Sequence, residues 1–330
     1  GIPEFTEYTR QAGLETREAY FGLGVRFFDA NGDGYDDLYV ANDSLQNAYF
    51  MNQGDGHFVE ASIMAGVAYN EQGDEQAGMG IGFGDFNRDG LIDLWVSNFS
   101  HDHDTLYRND GQGMFTDVSY VSGIGTPSYL TLGWGILFLD LDQNGWEDLF
   151  VSHGHVYPQV DEKDLGTSHR QQNALFHNNT DGTFDPIEDR AGPGMKLVKA
   201  SRALLPLDID GDGDLDLLLT SLNDTPDLLR NDGATGNWLQ VRLRGTKSNR
   251  DGIGAQVRVI TGERTQLREV HGGRGYQSFY GKRLYFGLGK HDKVDRIEVR
   301  WIGGGTDIHR NIKADKKIRL VEGDIIKESD

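Results

Sequence analysis

The sequence predicts an all-β chain: short antiparallel blades of the β-propeller type, followed by a small β-sandwich or barrel. Three observations carry that expectation. The 330 residues include 45 Gly, 13 Tyr and 16 Phe and no Cys, a composition of many short strands and tight turns without a disulfide framework. An acidic pattern recurs four times, as "DANGDGYDDL" from Asp29, "DFNRDGLIDL" from Asp85, "DLDQNGWEDL" from Asp140 and "DIDGDGDLDL" from Asp208, at spacings of 56, 55 and 68 residues. Charge is also split along the chain. Residues 1–235 hold 12 Lys and Arg against 40 Asp and Glu, whereas residues 236–330 hold 20 against 12. Opposite balances of this kind divide the chain into two domains, 1–235 and 236–330.

Each repeat carries the same flanks. Upstream of the acidic pattern lies a Gly-rich apolar strand, "GLGVRFF", "GMGIGFG" or "GWGILFL", with "SRALLPL" in the last copy. A second strand follows ("DLYVAND", "DLWVSNF", "DLFVSHG", "DLLLTSL"), then a third with a turn ("NAYFMNQGDGHF", "TLYRNDGQGMF", "ALFHNNTDGTF", "DLLRND"). A fourth segment closes three of the units: "FVEASIMAGV", "FTDVSYVSGI" and "FDPIEDRAGP". Four short strands per unit are what one propeller blade requires. Phe5–Leu14, "FTEYTRQAGL", reads as the fourth segment of an earlier repeat, and the opening "GIPEF" resembles a protease-cleaved fusion remnant, so further blades are expected upstream. The extra length of the third unit falls in "HVYPQVDEKDLGTSHRQQN", expected to be a long loop. In the second domain, apolar alternation predicts strands at Trp238–Arg244, Ala255–Thr261, Leu267–Val270, Arg283–Leu288, Val294–Trp301 and Lys317–Val321, packed against the last blade.

The acidic loops read as cation sites. Positions 1, 3, 5 and 9 are oxygen-bearing in every copy: Asp29, Asn31, Asp33 and Asp37; Asp85, Asn87, Asp89 and Asp93; Asp140, Asp142, Asn144 and Asp148; Asp208, Asp210, Asp212 and Asp216. Position 6 is always Gly, which permits the left-handed backbone a short loop needs to wrap an ion. Position 7 (Tyr35, Leu91, Trp146, Asp214) would add a backbone carbonyl. Five or six hard oxygens suit Ca²⁺, about four ions per chain, better than Mg²⁺, which keeps several waters. An EF-hand is excluded, because position 12 is Val40, Val96, Val151 or Leu219 rather than a bidentate Glu, and each lies in a strand. The alternative is a metal-free Asx/Gly turn; four copies in register count against it. Sites of this kind stay filled at extracellular calcium, which favours a secreted or periplasmic setting.

Partner classes follow from charge. The acidic region should repel nucleic acid and anionic membrane, and no apolar run reaches the roughly 18 residues of a spanning helix. The basic second domain is expected to complement its acidic neighbour rather than bind a polyanion. The far end of each second strand lies opposite the acidic loops. Asp43 and Ser44, Ser100 to Asp104, His153 and His155, and Asn223 and Asp224 fall there, with Tyr129, Trp134 and Tyr157 near them. If the blades close around an axis these groups converge on one mouth, either as a protein- or glycan-binding surface or, through His101, His103, His153 and His155, as a second site for a transition metal. An Asp/His mouth also admits an alternative, a metal-dependent hydrolase or lyase. "HNNTDGT" contains an Asn-Asn-Thr sequon with Asn178 at the acceptor position.

These residues carry a family resemblance. Residues 20–235 resemble FG-GAP/VCBS repeats, the integrin-α-like propeller blades with calcium loops. Residues 236–330, through "NWLQVRLRGTKSNRDGIGAQVRV", "REVHGGRGYQSF", "RLYFGLG" and "KVDRIEVRW", resemble the ASPIC/UnbV domain. The combination is similar to the cartilage acidic protein family. It implies calcium-dependent extracellular binding or adhesion more than catalysis, and propellers of about seven blades, of which four show here; blades shared with another chain would make the protein an oligomer.

Overall fold

The computed structural model describes residues 3–16, 20–303 and 305–324. Each acidic pattern is the corner between the first and second strands of an antiparallel sheet. The first blade runs Gly22–Phe28, Asp37–Asn42, Ala48–Asn52 and Phe58–Glu60; the second Ile81–Gly84, Asp93–Val96, Thr105–Gly111 and Met114–Asp117. The third is Gly133–Leu139, Asp148–His153, Ala174–Asn178 and Phe184–Pro186, and the fourth has three strands, Ser201–Leu207, Asp216–Ser221 and Asp227–Leu229. The long segment in the third unit carries a short 3-10 turn, Pro158–Glu162, and a two-residue strand, Gln171–Gln172, paired with Val198–Lys199.

The second strands read as almost unbroken apolar runs because each blade is buried on both faces. Alternate residues enter different cores. Tyr39 and Ala41 of the first blade pack with Leu94 and Val96 of the second. Trp95 points the other way, to meet Leu149 and Val151 of the third blade, and Phe150 meets Leu217 and Leu219 of the fourth. The Gly-rich first strands lie innermost, side by side. A Cβ on Gly24, Gly80 or Gly135 would overlap the carbonyl oxygen of Met79, Trp134 or Arg202 in the following blade. That close approach explains the recurring second glycine of "GLG", "GMG" and "GWG". Ser97 and Ser152 then donate across the same gap, Ser97 Oγ to Trp134 O at 3.0 Å and Ser152 Oγ to Arg202 O at 2.6 Å.

The C-terminal domain is a two-sheet sandwich. One sheet orders Arg283–Gly289, Asn237–Arg244 and Lys316–Val321, the last two parallel; the other orders Arg264–Glu269, Gln256–Thr261, Lys293–Arg300 and Thr306–Lys313. Leu239, Val241, Val257, Val259, Ile297 and Val299 meet between them. The expected strands are present, and Thr306–Lys313 is an additional edge strand. The domain packs on the last blade as expected, Gln240 and Lys317 meeting Asp208, and it also lies across the acidic corners of the other three. Arg300 reaches Asp29, Lys317 reaches Asp208, and Gly287 N–H donates to Asp140 Oδ2 at 3.0 Å. Arg268 Nε pairs with buried Glu147 at 3.0 Å, whose other oxygen accepts from Asp85 N–H. The segment after Glu269 continues along the inner strands, where Gly275 bridges Ile81, Arg26 donates to Gly275 O, and Tyr276 packs on Trp134 at 4.8 Å. Opposite charge favours this seating: the net-basic sandwich sets Arg268, Arg300 and Lys317 against carboxylates at the corners.

Gly80→Ala is expected to cost on the order of 1–3 kcal/mol, because neither carbonyl nor strand can withdraw. Gly305→Ala, with open space around it, is expected to be near neutral. Thermal unfolding of the two variants checks this.

Candidate functional site

The four corners share one hydrogen-bond plan. Side-chain oxygens accept from the amide two residues on: Asp33 N–H to Asn31 Oδ1 and Tyr35 N–H to Asp33 Oδ1 at 3.0 and 2.8 Å, Asp89 and Leu91 likewise at 3.0 and 2.9 Å, Asn144 and Trp146 at 3.1 and 2.7 Å. Asp212 and Asp214 repeat it at 3.4 and 3.0 Å. Gly34, Gly90, Gly145 and Gly213 have φ of 97°, 85°, 90° and 102°, as position 6 requires. The amides of Gly34, Gly90 and Gly145 donate to Oδ2 of the first Asp. The other oxygen of that residue, Oδ1 of Asp29, Asp85 and Asp140, is buried with no hydrogen-bond partner. A buried carboxylate oxygen is costly when unpaired, and these three stand at equivalent positions, where a hard cation would satisfy them. In the fourth loop Asp208, Asp210 and Asp212 bring oxygens within 4.8 Å of one another, the one such convergence of three acidic or imidazole donors among the described residues. The residue set therefore fits a hard divalent cation.

Electrostatics agree. Burial, with Glu147 next, pushes Asp85 up to about 7. Burial pushes Asp37 up to about 6, and burial together with four neighbouring carboxylates does the same to Asp214. Asp93 and Asp140 are driven well above the ordinary range, in each case chiefly by burial. Asp208 goes the other way: burial raises it, and Lys317 and Gln240 outweigh burial.

Position 9 has a second task that its reading as an ion ligand did not include. Oδ2 of Asp37, Asp93, Asp148 and Asp216 accepts from the amide of position 2, and Oδ1 accepts from the amide of an Asn near the end of the third strand or just beyond it: Asn52, Asn109, Asn178 or Asn231, at 2.7 to 2.9 Å. Each Asn then caps its own turn, and three of them donate across to the preceding blade's corner. Asn109 reaches Ala30 O, Asn178 reaches Phe86 O and Asn231 reaches Leu141 O, at 2.8, 3.0 and 2.8 Å. Sequence reasoning passed over these staples. Their signal was the Asn that opens "NQGDG", "NDGQG", "NNTDG" and "NDGAT". Asn178 is fully buried and committed on both sides, so it is a structural staple and not an accessible glycan acceptor.

At the opposite mouth the four imidazoles do not come together, which corrects the expected transition-metal site. His153 is buried, with Nδ1 against Gln172 O at 2.9 Å and Nε2 against Thr131 Oγ1 at 3.2 Å. His103 packs on Tyr120 in the interior, 3.8 Å from Asp117. His101 is an exposed left-handed turn residue, φ 73°, as are Ser44 and Asn223 at φ 59° and 50°. His155 Nδ1 accepts from Tyr157 N–H at 3.1 Å, and its ring meets Phe99 at 5.0 Å. A hydrolase or lyase centre built on these four has lost its shared donors. Asp224 pairs with Lys199 and Arg170. What the mouth does hold is a groove of about 420 Å³ between the second-blade tip and the long third-blade loop, lined by Phe99, His101, His155, Tyr157, Gln159 and Lys163. Trp134 lies deeper, under the Arg202 guanidinium at 4.3 Å.

Asp104, also assigned to the mouth, is a core cap. Its Oδ1 accepts from Asn98 N–H at 2.9 Å, as Asn47 and Asn173 Oδ1 accept from Asn42 and His153. Its Oδ2 is buried without a partner.

Family models agree with this architecture. The FG-GAP-like repeat matches at residues 29–96, 85–151 and 163–219, and ASPIC and UnbV at residues 245–327. The chain belongs to the FG-GAP-like repeat family and carries an ASPIC and UnbV domain at its C-terminal end. Cartilage acidic protein 1 of Mus musculus is 28% identical over 331 residues, covering 98% of this chain and 48% of that protein. The Homo sapiens protein is 28% identical over 332 residues, covering 98% and 46%, and the Xenopus tropicalis protein 27% over 294 residues, covering 86% and 42%. The chain thus spans about half the length of the curated relatives it matches. Among the described residues no helix is long and apolar enough to cross a membrane.

Burial, opposed by the Asn98 bond and His103, raises Asp104 to about 7. A raised carboxyl is favourable when protonated, so its contribution is full below the unfolded value near 4 and is lost as pH rises through 7. Asp104→Asn, which restores the residue type of the first and third blades, is expected to leave stability at pH 4 unchanged and raise it at pH 8 by roughly 1–3 kcal/mol. Denaturant melts at the two pH values measure the difference.

Proposed function

We propose that this chain is a secreted or periplasmic calcium-loaded FG-GAP protein that binds a protein or glycan partner at the mouth opposite its acidic corners. The unpartnered buried Oδ1 atoms of Asp29, Asp85 and Asp140 carry the reading. Asp29, Asn31, Asp33 and Asp37 and their counterparts would hold the ions, which supply charge neutralisation and fix the corner. The other oxygen stays with the Gly amide and the C-terminal domain at Asp29 and Asp140, and with the Gly90 amide at Asp85. Filled sites stabilise the folded state by about 2.7 kcal/mol each at a hundredfold excess of ion over its dissociation constant. Adhesion-type binding is the role best matched to such a scaffold: rigid blades, a groove at the loop tips, and an exposed aromatic, Tyr157, beside Lys163 and two imidazoles. Tyr157 offers a flat apolar face with a polar tip, the chemistry that sugars and peptide side chains pack on.

Chelator-treated protein is expected to melt well below calcium-replete protein, with Asp89→Ala narrowing the gap by about one site's share. An unchanged melting temperature on chelation would remove the calcium reading. For the mouth, Tyr157→Ala is expected to abolish any retention seen on a glycan or matrix-protein array while leaving the melting temperature within about 1 °C, since the side chain is 60% exposed. Undiminished retention would place the ligand elsewhere.

A further inference from the structure

The long third-blade segment that borders the groove at Tyr157 has a second groove on its other side. This one measures about 480 Å³, and its lining includes Leu130, Thr131, Ser168, Gln172 and Glu188. Thr167 lines both grooves, so the chain there is the ridge they share. The ridge is held from each side. His101 Nε2 lies 3.0 Å from Leu165 O, and Gln171 Nε2 donates to Thr167 Oγ1 at 2.9 Å. The floor is held as well. Gln171, Asn173 and His153 are buried in it, and Gln171 Oε1 accepts from Leu132 N–H at 3.0 Å while Asn173 Oδ1 accepts from His153 N–H at 2.9 Å. Pairing of Gln171–Gln172 with Val198–Lys199 fixes the wall that carries Gln172.

Two side chains in this lining depart from that order. Neither the Gln172 amide nor the Glu188 carboxylate has a hydrogen-bond or ion-pair partner among the described residues, and Gln172 Nε2 and Glu188 Oε2 are buried in that state. An unpaired polar atom shut off from water costs stability. A donor and an acceptor left over in one groove suit a ligand group that is itself both acceptor and donor. A hydroxyl is such a group: it accepts from an amide N–H and donates to a carboxylate. The last torsion of Gln and Glu is soft, so each can turn its buried atom to meet one. Thr131, Thr167 and Ser168 add further oxygens, and exposed Leu130 offers apolar contact to C–H groups. Nothing in the groove favours an anion. Arg170, the one Arg or Lys in the lining among the described residues, pairs with Asp224 at 3.4 Å.

We propose that the ligand at this mouth is a neutral oligosaccharide, one ring held through its hydroxyls by Gln172 and Glu188 and another stacked on Tyr157 across the Thr167 ridge. The inference rests on the reading of the mouth as a binding surface, and narrows its ligand from protein or glycan to glycan. Each groove supplies what the other lacks. The Tyr157 groove has an exposed aromatic face; the Gln172 groove has the leftover donor and acceptor. A single sugar reaches one groove only. A chain that spans the ridge makes its second contact within an already bound molecule, so affinity rises with length until both grooves are filled. The floor and ridge are already hydrogen-bonded, so binding has little chain left to order.

Titration calorimetry with neutral oligosaccharides of increasing length, built from glucose, mannose, galactose or N-acetylglucosamine, tests the proposal. The expected result is saturable binding of at least one series, with affinity that rises over the first few residues and then levels off. Glu188→Ala and Gln172→Ala are each expected to weaken that binding by about tenfold or more. Neither is expected to lower the melting temperature, because neither side chain has a partner in the fold to lose. Tyr157→Ala is expected to weaken binding and to remove its dependence on length. Sugar binding that Tyr157→Ala abolishes but Glu188→Ala and Gln172→Ala leave unchanged overturns the second groove and leaves the mouth in place. Retention of peptides or proteins through Tyr157, with none of the sugar series bound, overturns the sugar ligand and likewise leaves the mouth in place. Sugar binding unchanged in all three variants overturns both readings.

Discussion

Four clusters of like charge at the corners between first and second strands are the constraint on which this structure depends. Three to five carboxylates within nine residues repel one another, and burial raises the cost of keeping them ionised. The chain meets that cost from two directions. Backbone amides and the basic C-terminal sandwich take oxygens of the leading Asp: Gly34 and Arg300 share Oδ2 of Asp29, and Gly145 and Gly287 share Oδ2 of Asp140, whereas at Asp208 Gly211 N–H takes Oδ1 and Gln240 and Lys317 take Oδ2. In three corners the second oxygen is left facing inward and unpaired. The divalent cation we propose would balance the arrangement.

This makes the corner a joint as well as a turn. The closing Asp holds the position-2 amide and the third-strand Asn, and that Asn holds the corner of the blade before it. A disturbance at Asp93, for example, would pass through Asn109 to Ala30. Blade-to-blade registry and docking of the sandwich therefore act on the same few carboxylates that the proposed ions would bind. The mouth lies at the other end of the same second strands, so its turn tips inherit their positions from the corners.

Much of this was legible in the sequence. The corners were visible because their chemistry is dense and repeats in register, and the Gly-rich inner strands because close approach admits no substitute for glycine at 24, 80 and 135. The Asn staples were not, because a single Asn before a Gly turn looks like ordinary turn chemistry until its partner 15 residues away in the first blade, Asp37, is placed beside it. The imidazoles misled for a related reason. His153 and His155 are adjacent in sequence pattern to the mouth, but strand alternation and a register shift near His153 turn the first into the core. Thr306–Lys313 escaped notice as an edge strand with few apolar residues. The seating of the sandwich over the corners was implied by opposite charge, but charge alone does not say which residues meet.

The most direct measurement is the metal content of the protein after exhaustive dialysis against buffer of low calcium, followed by anomalous scattering at the corners in crystals grown with calcium. The account expects calcium at close to one ion per corner, with the ion in the first three corners touching the inward oxygen of Asp29, Asp85 or Asp140. Corners that stay empty of metal at saturating calcium, with water or a side-chain donor on those oxygens instead, would contradict it.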